Sequence, residues 1–153
     1  MLDRLQVLNE DEYSMLIDSV SLITVLIAGA DDHIDPRETD WAEKITRIRS
    51  YNYRNELKGF YLKVGEDYSE RLHDWINRLP NDREEREKII TEELEKLNPI
   101  LQKLEEGIAD LLYKSLTSFA RHVARASGGI AGFGSITPEE AKYIDLPMID
   151  PVD

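Results

Sequence analysis

The stretch SLITVLIAGADDHIDPRE, Ser21 to Glu38, decides how the chain reads. Its first half is apolar apart from Ser21 and Thr24. Its second half crowds Asp31, Asp32, Asp35 and Glu38 around His33 and Pro36. Working back from it, Tyr13, Leu16, Ile17, Val20, Ile23 and Ile27 recur at the three- and four-residue spacing that lines one face of a helix. Met15, Leu22 and Leu26 widen that face, so this helix is expected at the centre of the fold. Asn9 followed by Glu12 has the spacing of a capping box that starts it. Working forward, Asp35, Pro36 and Glu38 suit the N-cap, first and third positions of a new helix, carried inward by Trp41, Ile45 and Ile48. The stretch therefore reads as a helix, an acidic corner and a second helix.

The rest of the chain extends this pattern. Tyr68, Leu72, Trp75, Ile76 and Leu79 trace a helix that Pro80 stops, and Asp82 with Glu85 caps the next. Glu84 with Lys88, and Glu92 with Lys96, are spaced for surface pairing. Asn98-Pro99 marks a break or kink. Beyond it Leu101, Leu104, Ile108, Leu111, Leu112, Phe119 and Val123 continue one long stripe to about Ala126. Thr137, Pro138 and Glu140 repeat the cap, proline and acid arrangement for a short last helix. Alternating strand patterns are missing, so the expected class is all-α, a single domain of about seven helices of ordinary length. The tail from Asp145, DLPMIDPVD, holds two prolines and is expected to be extended. Tyr51, Tyr53, Phe60 and Tyr61, around Lys58 and Lys63, read as core packing first and as a binding surface second.

Composition bounds the function. A chain of 153 residues without cysteine is long enough to build a core without disulfides, and thiol catalysis and zinc ribbons are excluded. With 31 acids against 19 bases the net charge is −12, which would repel a nucleic-acid backbone and favours cations or basic protein surfaces as partners. The longest apolar run, Val20 to Ala30, is short of the roughly 20 residues that span a bilayer, and it follows the acidic flank Asn9 to Glu12 where a signal peptide would be basic. A cytoplasmic location is the expectation.

The acidic corner has a weaker echo. One apolar helix ends in Ala28-Gly29-Ala30-Asp31-Asp32-His33-Ile34-Asp35-Pro36-Arg37-Glu38. A second ends in Ala124-Arg125-Ala126-Ser127-Gly128 and resumes at Ile136-Thr137-Pro138-Glu139-Glu140. Ala30, Asp31, Ile34 and Glu38 resemble the A-D-G-x-I-x-x-x-E junction of the TerB-like family of tellurite-resistance and stress-response proteins, with Asp32 in place of the glycine. The second junction keeps Ala126, Gly128, Ile136 and Glu140 but has Ser127 where the acid would stand, which removes a paired acidic site. The resemblance implies an all-helical TerB-like domain over residues 1–144, with related halves at about 9–64 and 82–144 and a tail at 145–153. It also implies a role in metal or oxyanion stress rather than an established enzyme activity.

Three functional readings follow. In the first, a non-enzymatic module uses Asp31, Asp32, Asp35 and Glu38 to bind a protein partner or a divalent cation such as calcium or magnesium. The last carbonyls of the first helix, at the negative end of its dipole, together with Asp31 and Asp32, make an oxygen-rich corner that Glu38 can reach. Against this, Asp35 and Glu38 are also explained as caps of the following helix. An EF-hand does not fit, since counting from Asp31 puts Pro36 at its glycine position and Ala42 at its twelfth. In the second reading, a small metal-dependent enzyme uses the same acids with His33 or His122. In the third, the glycine-rich segment 127–135 and the tail serve oligomerisation. Glu70 and His73 have E-x-x-H spacing, but a di-iron bundle needs two such motifs, and this is the one copy in the sequence.

Overall fold

The computed structural model describes residues 4–28, 40, 43, 44, 47, 55–130 and 142–151. A single 3-10 turn, Arg4–Val7, leads into helix α1, Glu10–Ala28. Asn9 Oδ1 accepts from the Glu12 N–H at 2.8 Å, and Glu12 Oε1 accepts from the Asn9 N–H at 3.0 Å. The capping box expected from sequence is formed. From Leu16 to Ala28 every side chain except the half-buried Asp18 is out of solvent, including Ser19, Ser21 and Thr24. A helix apolar all round belongs inside a fold. Accordingly α1 packs against α2 (Asn55–Arg78), α3 (Arg83–Glu95), α4 (Leu97–Lys103) and α5 (Glu106–Ile130). Asp40, Glu43, Lys44 and Arg47 are also helical, and Glu43 receives an Arg47 hydrogen bond at 2.7 Å one turn on. The described residues hold no strand. The expected total of about seven helices and the two related halves both draw on segments outside these residues.

Three local expectations meet corrections. Asp82 caps α3 by accepting from the Glu85 N–H at 3.0 Å, as expected. At the other end of α3, however, Lys96 pairs with Glu93 at 2.9 Å, where the sequence suggested Glu92. The chain then breaks at Lys96 and not at Asn98-Pro99. Pro99 is the third residue of α4, inside a first turn whose N–H groups have no helical acceptor, so its missing donor costs nothing there. The long stripe from Leu101 is interrupted as well. Leu104 turns extended at φ −85°, ψ 156°, and α5 restarts at Glu106. Leu101, Leu104 and Ile108 are all buried, so an apolar pattern runs unbroken across a chain that is not one helix.

Helix α5 continues through Ser127, Gly128 and Gly129 to Ile130, so the first part of the glycine-rich segment is helical where a turn was expected. The core that α1 and α5 organise includes Phe60 and Tyr61 of α2, whose rings meet edge to face at 5.1 Å between centroids. Those two aromatics are core residues. Two hydroxyl pairs lie inside it. Thr24 Oγ1 and the Tyr68 hydroxyl are 2.6 Å apart between α1 and α2, and the Tyr61 hydroxyl meets Ser115 Oγ between α2 and α5.

The tail is docked, and residues 143–149 are wound into turns rather than extended. The Leu146 N–H donates to the Tyr143 carbonyl at 2.9 Å and the Ile149 N–H to the Leu146 carbonyl at 3.0 Å. Leu146 takes a left-handed φ of 48°, a conformation that costs an L-residue roughly 1–2 kcal/mol. Burial of the Leu146, Met148 and Ile149 side chains offsets it.

Candidate functional site

The acidic corner begins where α1 ends. Val25, Leu26, Ile27 and Ala28 of its last turn are at most 1% exposed, and that turn carries no basic residue. A helix leaves its last carbonyls without intrahelical N–H donors and concentrates negative potential there. Here that end is held in low-dielectric surroundings, and Asp31 and Asp32 follow within four residues of sequence. Asp31, Asp32, Asp35 and Glu38, with His33, lie outside the described residues.

At the opposite end of α1 is a groove of about 530 Å³ that the sequence did not reveal. Leu5, Leu8, Tyr13 and Ile17 supply its apolar side, and α2 crosses it with Lys63, Glu66, Asp67 and Arg71. The crossing is bent: Asp67 leaves helical geometry at φ −137°, ψ 26°. Arg71 fixes the bend. Its Nε donates to Asp67 at 3.0 Å, and its terminal nitrogen donates to Asp18 at 2.7 Å and to the Ser14 hydroxyl at 3.4 Å. Burial disfavours the guanidinium charge, but the bonds to Asp18 and Asp67 outweigh it and raise the Arg71 pKa above its ordinary value. The arrangement is an oriented cation with carboxylates on two helices, suited to holding α1 and α2 at a set angle. The Asp67–Arg71 and Ser14–Asp18 spacings, each one helical turn, were visible in sequence. The pairing of the two helices was not.

The remaining candidates are dispersed. Glu70 and His73 are both exposed on α2. His122 on α5 is half-buried and has an interaction partner. Among the described residues no three histidine or acidic side chains converge as a metal-ligand group, and no helix is long and apolar enough to cross a membrane. No protein-family model matches the chain, and neither a curated protein nor a solved structure matches it.

Proposed function

We propose that the chain is a non-enzymatic helical binding module of TerB-like type, serving a metal or oxyanion stress response. Its acidic corner, Asp31, Asp32, Asp35 and Glu38, takes a basic protein surface or a divalent cation. The observation behind this reading is the buried last turn of α1, which carries no basic residue and is followed in sequence by three aspartates within seven residues. Field from a desolvated helix end is screened less than field at the surface, so the corner attracts positive charge more strongly than its acids alone. The net charge of −12 acts in the same direction.

Melting curves with calcium, magnesium, manganese and zinc test the cation form. An ion at about a hundred times its Kd adds about 2.7 kcal/mol to stability, a rise of about 5–10 °C in Tm for a chain of this size. The double variant D31N/E38Q should lose that rise. If none of the four ions moves the wild-type curve, the cation form is wrong. The protein-partner form then requires salt-sensitive binding of a basic peptide that the same variant weakens, and equal binding by variant and wild type would remove it.

A further inference from the structure

The groove at the start of α1 is walled by two helices. Glu10, Tyr13, Ser14 and Ile17 line it from α1 at three- and four-residue spacing, a stripe two turns long and about 10 Å from end to end. Lys63, Glu66, Asp67 and Arg71 keep the same spacing on α2. Among the described residues three large apolar side chains are exposed: Val7 at 62%, Leu62 at 51% and Ile89 at 37%. The two most exposed stand beside this groove, Val7 between the lining residues Gln6 and Leu8, and Leu62 next to Lys63. One exposed apolar residue is ordinary, but two that flank a partly apolar groove mark a binding surface. The acids here are loosely held. Glu66 meets Lys63 at 3.5 Å with both side chains more than half exposed, and Glu10 is exposed with no ion pair among the described residues.

We propose that this groove is an interaction surface for a basic amphipathic helix of a partner protein, its apolar face on Val7, Tyr13 and Leu62 and its lysines or arginines toward Glu10 and Glu66. The two-turn stripe on α1 matches the anchors that a helix in a groove presents one and two turns apart. Charge sets the sign of the partner. Arg71 is spent on Asp18, Asp67 and Ser14, so Glu10 and Glu66 face the single loosely held Lys63, in a chain that carries −12. Shape sets its size. Val7 and Leu62 are outside the lining, so a small molecule held within it leaves both in water, whereas a helix about 10 Å across covers them. The site shares no residue with the acidic corner and does not depend on it.

The full-length protein is titrated with a synthetic helical peptide of about four turns that carries leucine on one face and lysine on the other. One control peptide scrambles that sequence at the same charge, and another replaces lysine by glutamate. The patterned basic peptide should bind about tenfold more tightly than either control. It should also slow amide exchange around Val7 and Leu62 while α5 is unchanged. V7S/L62S, substituted where side chains face water, should weaken binding about tenfold, and E10Q/E66Q about threefold with the larger effect at low salt. D31N/E38Q should bind like wild type. Equal binding of the patterned and scrambled peptides, or binding that V7S/L62S leaves intact, overturns the proposal. Displacement of the peptide by hexylamine would make a small amine the occupant, and wild-type self-association that V7S/L62S abolishes would make it a second copy. Either result also overturns it.

Discussion

Helix α1 is tied to α2 in two places by opposite means. Near its buried end, Thr24 and Tyr68 meet through neutral hydroxyls at 2.6 Å, with Tyr68 only 2% exposed. Midway along it, Asp18 meets Arg71 through full charges at 2.7 Å, with both side chains about a quarter exposed. Desolvating a hydroxyl pair costs far less than desolvating an ion pair, so the core tolerates the first and the groove, still wetted, holds the second. The same separation governs what each link contributes. In the core an unmet partner is costly because water cannot replace it, whereas at the groove water competes with both partners from the start.

Substitution at the core pair should give the largest effect, and an asymmetric one. Thr24 also donates to the Val20 carbonyl at 2.9 Å, so Tyr68→Phe leaves it a partner. Thr24→Val instead strands the Tyr68 hydroxyl in the core. Chemical denaturation should show T24V destabilised by about 1–3 kcal/mol, Y68F by less, and the double variant milder than T24V alone. Equal losses in the two single variants would mean that the Tyr68 hydroxyl reaches water, and the contrast with the groove would collapse.

Alkaline pH tests the same hydroxyl without substitution. Burial raises the Tyr68 pKa well above its ordinary value of 10.0, against a smaller lowering by the Thr24 bond. The unfolded chain therefore loses this proton first. The contribution is complete below pH 10 and declines as pH rises beyond it, by about 1.4 kcal/mol per unit while the folded hydroxyl stays protonated. A stability profile from pH 9 to 12 should fall less steeply in Y68F than in the wild type. Parallel profiles would place the alkaline loss elsewhere.

At the groove the expected change is smaller and depends on salt. Arg71→Ala removes the bonds to Asp18, Asp67 and Ser14 but leaves two carboxylates that water reaches, so the loss should stay near or below about 1 kcal/mol and shrink as salt rises. The sharper readout is shape, because the bend at Asp67 loses its strut. Amide exchange in residues 64–71 should accelerate in R71A while α5 stays protected. Acceleration along both helices would show that the pair supports the whole core and not the bend.

What sequence could disclose divides along the distance that each interaction spans. The Asn9–Glu12 box and the Asp82 cap act within three residues, and both were legible, as was the burial of α1 from its periodicity. The break at Leu104 was hidden because the apolar positions on either side serve one core, so the stripe continues where the helix does not. The bend at Asp67 has no proline to mark it; its strut, Arg71, is anchored on Asp18, 53 residues earlier in the chain. The tail's docking was equally invisible, since Asn98 meets it across 50 and 52 residues. The acidic corner is the converse case. Its residue types and spacing are explicit in the sequence, yet caps and cation ligands use the same carboxylates, so composition alone cannot choose between them.

The smallest expected effect lies at the other face of the α1 start, where Lys103 of α4 pairs with Glu12, the same residue that closes the capping box. The Lys103 bond, followed by the Asn9 N–H, lowers the Glu12 pKa from its ordinary 4.5. An acid with a depressed folded pKa stabilises the fold above the unfolded value and loses that contribution as pH falls through the folded one. Acid titration of stability should therefore show a loss beginning near pH 4.5, and Lys103→Ala should shift it toward higher pH and flatten it. At neutral pH the same variant should melt close to wild type, because the capping bonds from Asn9 remain. A neutral-pH loss as large as that of T24V would contradict the central difference between the two ends of α1, for it would make a solvated charge as consequential as a buried hydroxyl.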